Sequence, residues 1–439
     1  MFRYLCATLV ALFTAVPAQA QDTAPLSLDA AARLAQTAQP LLEAQTAAVN
    51  AARESAVAAG QLPDPVLSGG LSNLTLTGSD RFTLEKEGDT QVLVGIKQQF
   101  LGGNKRELRG ARAAREADRL EAELEEQRRM IARETALAWL ETWKALRAQE
   151  LVQASIAQAQ LQAQAAEIAF SANRASQAEV LTARVSLELL NDQLANLQQM
   201  EWHGRNQLRR WIGADAERPL EMTLPAWPAP DTEQLAAHLQ NHPHVRALTA
   251  AAETAEAALE LARADYKPDF SVMAGYGYRP AFADYASLTF EIGLPFFTAN
   301  RQDRGVAAAA SQLEQMRQMR EDWLKQHRAD IALNVADWRR LRERFARYDT
   351  AILPQAQQRL DSTLAAYGAG GSTLALVLDA RRSLLDVRMQ RLELELDAAM
   401  HQVKLAYFAG QDAQVSQQRQ DVAPAATNHE AAAAAGDSR

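Results

Sequence analysis

The turn that decides the fold is the stretch FSANRASQAEVLTAR at residues 170–184. Before it, residues 104–168 contain almost no Pro or Gly and are rich in Ala, Leu, Glu, Gln and Arg, which favour helices. After it, apolar residues follow the spacing of a coiled coil: Val180, Ala183, Leu187, Leu190, Leu194 and Leu197. The sequence therefore predicts a helical hairpin with a helix at 104–168, a tip at 169–177 and a returning helix at 178–212. At about 1.5 Å per residue the first arm would be about 97 Å long, which suits a spanning element rather than a core helix.

A second copy of this design follows. Residues 367–381 read YGAGGSTLALVLDAR and align with the first turn, which places a second tip at 367–373. The sequence Pro63-Asp64-Pro65 is echoed by Pro268 and Asp269. A long unit that occurs twice indicates a duplication, since a solenoid needs three or more short repeats. We divide the chain into a first repeat (21–213), a Pro-rich linker or equatorial segment (214–231) and a second repeat (232–410).

The two ends of the chain differ from this pattern. Residues 1–20 carry a charged residue, an apolar run and a small-residue cleavage site, which predicts a secretory signal peptide. The only cysteine, Cys6, lies inside this segment, so the mature chain is expected to be free of cysteine. Residues 411–439 are rich in Gln and Ala and are predicted to be a disordered tail.

Between the helices lie segments with the period of β-strands. After a helix at 26–61, strands are predicted at 66–77 and 90–100, and in the second copy at 269–279 and 285–297. In the second copy Phe270, Val272, Ala274, Tyr276 and Tyr278 alternate with small or polar residues. Such runs with aromatic ends are typical of transmembrane β-barrels, although a soluble sheet with one wet face has the same pattern.

Four strands cannot close a barrel, because the smallest barrels have about eight. Open strand edges are not tolerated in lipid, where unpaired backbone groups find no water. Several chains must then share one barrel, and a dimer would supply eight strands and a trimer twelve. The two shorter helices stacked end to end match the long arm in height, so the helices of several chains could form a tube coaxial with the barrel.

The composition excludes other classes. There is no basic excess that would indicate nucleic-acid binding, and no apolar run of 18 or more residues after the leader. No Ser-His-Asp set, phosphate loop or carboxylate pair at catalytic spacing is present, so we expect neither enzymatic activity nor a cofactor. His242 and His244 have no third ligand at a usable spacing, so no metal site is predicted.

The order of these elements in both halves, the second tip, and the strand-to-helix junctions at 100–106 and 294–301 resemble the TolC family of outer-membrane efflux channels. The junction wording is most similar to the heavy-metal branch, that of CzcC- and CusC-like channels. The resemblance covers essentially the whole mature chain. It implies a mainly α fold with a small β part: a homotrimer whose twelve-stranded transmembrane β-barrel continues into a periplasmic α-helical barrel.

The resemblance also implies a function and partners. Such channels are the exit ducts of tripartite efflux pumps in the outer membrane of Gram-negative bacteria, with a large periplasmic portion. They dock onto a periplasmic adaptor (a membrane fusion protein) and an inner-membrane pump, here expected to be of the RND type. Acidic residues near the tips line the closed aperture of these channels. Asp379 matches one such position; Leu376 departs from the other, and Glu179 of the first copy could supply the missing charge.

Further candidate residues follow from position. Lys97 and Glu291 are expected to line the pore, since a charge facing lipid would cost a few kcal/mol. The glycines of the second tip permit a tight turn. The residues expected at the adaptor-docking tips are Phe170, Asn173, Arg174, Ser176, Tyr367, Gly368, Gly370, Gly371 and Thr373.

Two other functions remain open at this stage. A soluble periplasmic coiled-coil adaptor or scaffold would explain the long hairpins but not the paired amphipathic strands. A type I protein-secretion duct would differ only in its partners. The sequence does not choose among metals, drugs and other solutes as the transported substrate.

Overall fold

The computed structural model describes residues 24–37 and 39–409. The predicted signal peptide and C-terminal tail lie outside the described residues. Each half of the chain runs through helices, two strands and further helices. In the first half these are α1 (Leu28–Leu34), α2 (Pro40–Ala59), β1 (Val66–Ser72), β2 (Gln91–Phe100), α3 (Lys105–Ser171) and α4 (Gln177–Ile212). In the second they are α5 (Thr232–His238), α6 (Pro243–Ala264), β3 (Phe270–Tyr278), β4 (Tyr285–Ile292), α7 (Gln302–Arg347), α8 (Leu353–Gly368) and α9 (Leu374–Ala406).

The prediction of one helix over 26–61 is wrong. Two helices occupy this range, because Pro40 stands at the first position of α2 and the residue before a proline avoids the helical conformation. Gln39 accordingly has an extended backbone, with φ −107° and ψ 121°. The second half repeats the device, with Pro243 opening α6 after the extended His242.

The long arms have the same length in both copies. Helix α3 has 67 residues, which is about 100 Å at about 1.5 Å per residue. In the second copy α7, a π-helical turn at Tyr348–Ile352 and α8 run without a break from Gln302 to Gly368. The π-turn lies directly before Pro354, which has no N–H to donate to the preceding turn. The widened turn accommodates the missing hydrogen bond without ending the helix.

The four strands form one antiparallel sheet in the order β1-β2-β3-β4. All four strands are shorter than predicted, and β1 and β4 differ most from the predicted ranges. The strand expected over 66–77 ends at Ser72, because Asn73 adopts a positive φ of 57°. The strand expected over 285–297 ends at Ile292, just before the last cross-link from Gly293 N–H to the carbonyl of Asp269 (3.0 Å). The outer side of β4 has no partner strand among the described residues.

The core lies at mid-height of the helices. Trp139 and Trp143 of α3 are buried there, and each indole N–H donates to a main-chain carbonyl: Trp139 to Leu26 and Trp143 to Met222, both at 3.0 Å. Leu26 in turn forms a parallel bridge with Leu220. The segment at 214–231 therefore runs as a belt fixed to the long helix, and Trp227 within it is half-buried against the core.

Candidate functional site

The two faces of the sheet differ in chemistry. Alternate residues point to opposite faces, and paired residues on neighbouring strands share one face. The cross-strand register places the large apolar residues together on one face, and every one of the following is exposed: Leu67, Leu71, Val92, Val94, Ile96, Phe270, Tyr276, Tyr278, Leu288, Phe290 and Ile292. No element of the described chain covers this face. A contiguous apolar surface of this kind marks a contact with a partner or with lipid.

The opposite face of the sheet is mostly polar. It carries mostly Ser, Gln, Thr and Gly residues, and its larger apolar or aromatic side chains are Val66, Leu93, Met273 and Tyr285. Glycine is required where strands carry side chains across it: a Cβ on Gly277 would lie 2.3 Å from the ring of Tyr285, and one on Gly275 would lie 2.8 Å from Ser287 Oγ.

Lys97 and Glu291, which the sequence leads us to expect in the pore lining, both lie on the polar face of the sheet. They belong to β2 and β4 and form an ion pair across β3. The Ser271 hydroxyl of β3 donates to the same carboxylate at 3.1 Å. Both charges are satisfied by groups of the same face, so neither needs to face the apolar side.

The junction between the sheet and the helices depends on Lys105, Gly102 and Asp269, none of which was a candidate site residue. The Lys105 ammonium is buried and lies 2.9 Å from Asp269 Oδ1, 2.8 Å from the carbonyl of Lys267 and 3.7 Å from Asp265. Gly102 N–H donates to Asp269 at 2.7 Å. Burial raises the pKa of Asp269, but the hydrogen bonds from Lys105 and Gly102 outweigh it and hold that pKa below its usual value.

Two different constraints explain the two glycines of this junction: close backbone approach at Gly102 and a positive φ at Gly103. A Cβ on Gly102 would lie 1.9 Å from the carbonyl oxygen of Pro268, a distance that no arrangement tolerates. Gly103 has a positive φ of 63°. The junction at 100–106 thus locks the first long helix onto the base of the second copy's strands. Lys105 and Asp269 are 164 residues apart in the chain. Only the repeated Pro-Asp sequence, at residues 63–64 and 268–269, could have pointed to the role of Asp269.

The tips of the two hairpins are built alike. After α3, Asn173 has φ 60° and the Arg174 N–H returns to the carbonyl of Ala169 at 2.8 Å. After α8, Gly370 has φ 76° and the Gly371 N–H returns to Ala366 at 2.8 Å. Gly370 is therefore the one tip glycine that needs a positive φ; Gly368 and Gly371 do not.

The tip surface carries exposed rings and capped helix ends. Phe170 is 48% exposed and Tyr367 38%. The next helices begin at Ser176, whose side chain accepts from the Glu179 N–H, and at Thr373, which caps α9 in the same way. Aromatic side chains left in water at the end of a hairpin are the kind of surface that a partner protein covers.

The two aperture candidates are engaged in local contacts. Glu179 completes a capping box at the start of α4, accepting the Ser176 N–H at 2.8 Å. Asp379 accepts from Arg359 at 2.5 Å, and both side chains are more than half exposed. The structure does not bring the two acids into contact with each other. Arg359 is a partner that the sequence analysis missed, since nothing in its spacing points to Asp379.

Asp379 also borders a groove between the two hairpins. The groove has a volume of about 990 Å³ and is lined by residues of α3, α4, α8 and α9. Its wall includes Arg381, which donates to Gln158 at 3.1 Å. Partial burial lowers the pKa of Arg381. Asp361 and Asp386 lie on the same wall, so the lining is polar and of mixed charge.

His242 and His244 belong to a cluster of aromatic rings at mid-height of the helices. His242 is buried, with Nε2 3.2 Å from the carbonyl of Tyr407, and His244 Nδ1 lies 2.6 Å from Glu126. Both imidazoles pack against Trp323. Burial, and then the nearby Arg129, lower the pKa of His242 to about 4. Within residues 24–37 and 39–409, no group of three or more His, Cys, Asp or Glu side chains could hold a metal ion.

The helices themselves do not have the composition of membrane spans. Among the described helices, none combines the length and hydropathy needed to cross a membrane.

Comparison with known proteins shows which proteins resemble this chain in sequence and in fold. Residues 235–411 match the family model described as outer membrane efflux protein. No curated protein sequence matches the chain. Among solved structures, CusC aligns over 87% of this chain and 92% of its own, with a TM-score of 0.75 and 18% identity. The outer membrane protein VceC from Vibrio cholerae aligns over 87% and 96% (TM-score 0.71, 20% identity). The MtrE outer membrane channel from Neisseria gonorrhoeae, solved in an open state, aligns over 87% and 89% (TM-score 0.68, 17% identity).

Proposed function

We propose that the chain is an outer membrane efflux protein of the TolC family, located in the outer membrane with a periplasmic portion, and that it is the exit duct of a tripartite efflux pump rather than an enzyme. Three copies would form one twelve-stranded barrel continued by a periplasmic helical tube. A periplasmic adaptor and an inner-membrane pump, of the RND type, would feed solutes into its lower end.

One observation supports the assembly: the sheet has an exposed apolar face and two edge strands, β1 and β4, whose outer sides have no partner strand in the described part of the chain. A sheet in lipid must satisfy every backbone group within the protein, which favours pairing β4 of one copy with β1 of the next. The soluble scaffold alternative would leave eleven large apolar side chains in water, so the same observation argues against it.

The lower end of the tube is the proposed docking site. The residues proposed to meet the adaptor are Phe170, Asn173, Arg174, Ser176, Tyr367, Gly368, Gly370, Gly371 and Thr373, which surround the two tips. Asp379 and Glu179 are proposed to approach the threefold axis, where like charges repel each other and attract cations. The ion pair with Arg359 would hold Asp379 in one orientation.

Heavy-metal cations are the proposed solute class, on the resemblance of the junction motifs to the heavy-metal branch. The test is deletion of the gene, with growth measured across a series of metal salts and a series of antibiotics. Greater sensitivity to metals alone, reversed by the gene on a plasmid, is expected. Sensitivity to antibiotics alone would assign the duct to drugs, and failure to secrete a protein in place of both would favour the secretion duct.

A further inference from the structure

An ion pair joins the first copy to the second within the chain. The duplication predicts an equivalent ion pair that a single chain cannot form. The first junction delivers Lys105 to Asp269, at the base of the second copy's strands. By the duplication, the second junction should deliver a cation to the base of the first copy's strands. In a single chain those two places are the open edges of the sheet.

The sequences give the counterparts. Residues 94–107 and 290–303 align without a gap, with Ile96 matching Ile292, Phe100 matching Phe296 and Asn104 matching Asn300. This alignment puts Arg301 in the position of Lys105. Residues 60–72 align likewise with 265–277, which puts Asp64 in the position of Asp269. A cation and a carboxylate thus recur at the two positions that form the ion pair within the chain.

Neither of the two counterparts has an ionic partner among residues 24–37 and 39–409 of the single chain. Arg301 is exposed, and its side chain reaches only the carbonyl of Phe296 at 3.2 Å. Asp64 is exposed and forms no hydrogen bond or ion pair with any described residue. Lys105, in contrast, has a side chain that is 6% exposed.

Helix α2 and the second junction have fewer packing partners than the corresponding elements α6 and the first junction. Helix α6 packs between α3 and α7, whereas α2 packs against α3 alone. Exposed apolar residues remain on α2 and at its end, namely Leu41, Val57 and Leu62. The second junction carries Leu294, Phe296 and Phe297, all exposed. A second copy placed by the duplication would lie against these residues, as α3 lies against α6 within the chain.

We infer that Arg301 of one copy forms an ion pair with Asp64 of the next copy, and that β4 pairs with β1 of that copy with Thr289 opposite Ser72 and Phe290 opposite Leu71. The register follows from the pairs Leu93–Gly277 and Val94–Tyr276 of the strands β2 and β3. It keeps the polar and apolar faces continuous across the interface. The inference rests on the ring assembly of the proposed function and specifies the contact that closes it.

The two junctions are not identical in shape. Thr298 and Ala299 stand in the positions of Gly102, which lies against the backbone of Pro268, and Gly103, which lies against the Lys267 side chain. Their Cβ atoms hold the second junction farther from its partner, and the arginine side chain is longer than the lysine that it replaces. In the single chain the second junction instead forms a short 3₁₀ turn at Thr298–Asn300.

Charge reversal tests the ion pair. Asp64→Arg and Arg301→Asp are each expected to give about tenfold more unassembled chain than wild type after detergent extraction, and the double variant is expected to restore most of the assembly. Asp80→Lys and Lys86→Asp, which alter an exposed pair within one loop (3.2 Å), serve as the matched control and should change nothing. Additive losses in the double variant would overturn the pairing.

Cysteine pairs test the register independently, and the chain offers a clean background once Cys6 is removed with the leader or replaced. Thr289→Cys with Ser72→Cys is expected to cross-link neighbouring copies in the outer membrane, while Thr289→Cys with Gly70→Cys, slipped by two residues, is expected to give about tenfold less product. Stronger cross-linking of the slipped pair, or none from either pair in an intact oligomer, would overturn the inference. A folded chain that forms no oligomer at all would overturn the proposed assembly as well.

Discussion

At the scale of single residues, glycine positions show how directly the backbone dictates sequence here. Gly102 sits against the Pro268 carbonyl, where a Cβ has no room. Gly305, in the first turn of α7, has open space around it and no unusual backbone angle. The same substitution should therefore act in opposite directions at these two sites.

Gly102→Ala is expected to destabilise the protein by more than about 2 kcal/mol, because the junction must move apart to admit the methyl group. Gly305→Ala is expected to stabilise it by about 0.5–1 kcal/mol, because alanine loses less backbone entropy in a helix. Thermal unfolding of the detergent-extracted variants, followed by circular dichroism, measures both. Equal effects of the two substitutions would contradict the assigned role of Gly102.

The buried His242 predicts a dependence of stability on pH. Its pKa is lowered to about 4, first by burial and then by Arg129, while in the unfolded chain it returns to its ordinary value of 6.5. The unfolded state then binds more protons between these values. The stability from the neutral ring is fully present above about pH 6.5 and is lost as the pH falls toward 4, an effect of about 2 to 3 kcal/mol.

His242→Gln should flatten this pH profile even if it lowers stability overall. His203→Gln, at an exposed position on α4, should leave the profile unchanged. Unfolding midpoints recorded from pH 4 to pH 7 give the comparison. A His242→Gln profile as steep as wild type would mean that other groups titrate in this window.

At the scale of elements, the two faces of β4 make adjacent residues report on different surroundings. Phe290 lies on the apolar face and Thr289 on the polar face. In outer membranes, Thr289→Cys is expected to react with a charged, water-soluble maleimide. Phe290→Cys is expected to resist it and to react with a lipid-soluble reagent instead. Equal reaction of both cysteines with the charged reagent would place the sheet in water.

The start of α4 separates two roles of Glu179. Gln can keep the capping box whereas Ala cannot, so Glu179→Ala should cost about 1 kcal/mol of stability and Glu179→Gln close to none. If the carboxylate also lines the aperture, both variants should lower the preference for cations in planar-bilayer recordings. Unchanged ion selectivity in Glu179→Gln would restrict this residue to capping.

Elements with strong local signals could be predicted from the sequence. The long helices followed from composition, and the sheet faces followed from the alternation of Phe270 to Tyr278. The break before Pro40 could also have been predicted, because a proline disfavours a helical residue before it. The prediction of one helix over 26–61 overlooked this. The end of β4 could not be predicted, because the alternation continues to residue 297 whereas the pairing strand ends the ladder at Ile292.

Contacts between distant residues were beyond the sequence. Lys105 and Asp269 are adjacent only because the pairing of β2 with β3 brings the end of β2 next to the start of β3. The carbonyl partners of Trp139 and Trp143 lie on segments with no regular pattern. The pairing of Asp379 with Arg359 depends on the crossing of α8 and α9, which the heptad spacing does not specify.

At the scale of the whole molecule, the duplicated chain is a segment of a wall. Its sheet ends in two open strands, and its helices present one packed side and one side that lacks a neighbour. An interface that joins one end of such a segment to the other end of the next copy is heterologous, and it closes into a ring when the rotation allows. The single chain therefore exposes the apolar and charged groups that a ring would cover.

Native mass spectrometry of the protein extracted from outer membranes in mild detergent tests this claim most directly. We expect a dominant species of three chains, with dissociation yielding unfolded rather than folded single chains. A stable, folded species of one chain that keeps its sheet and helices in solution would contradict it.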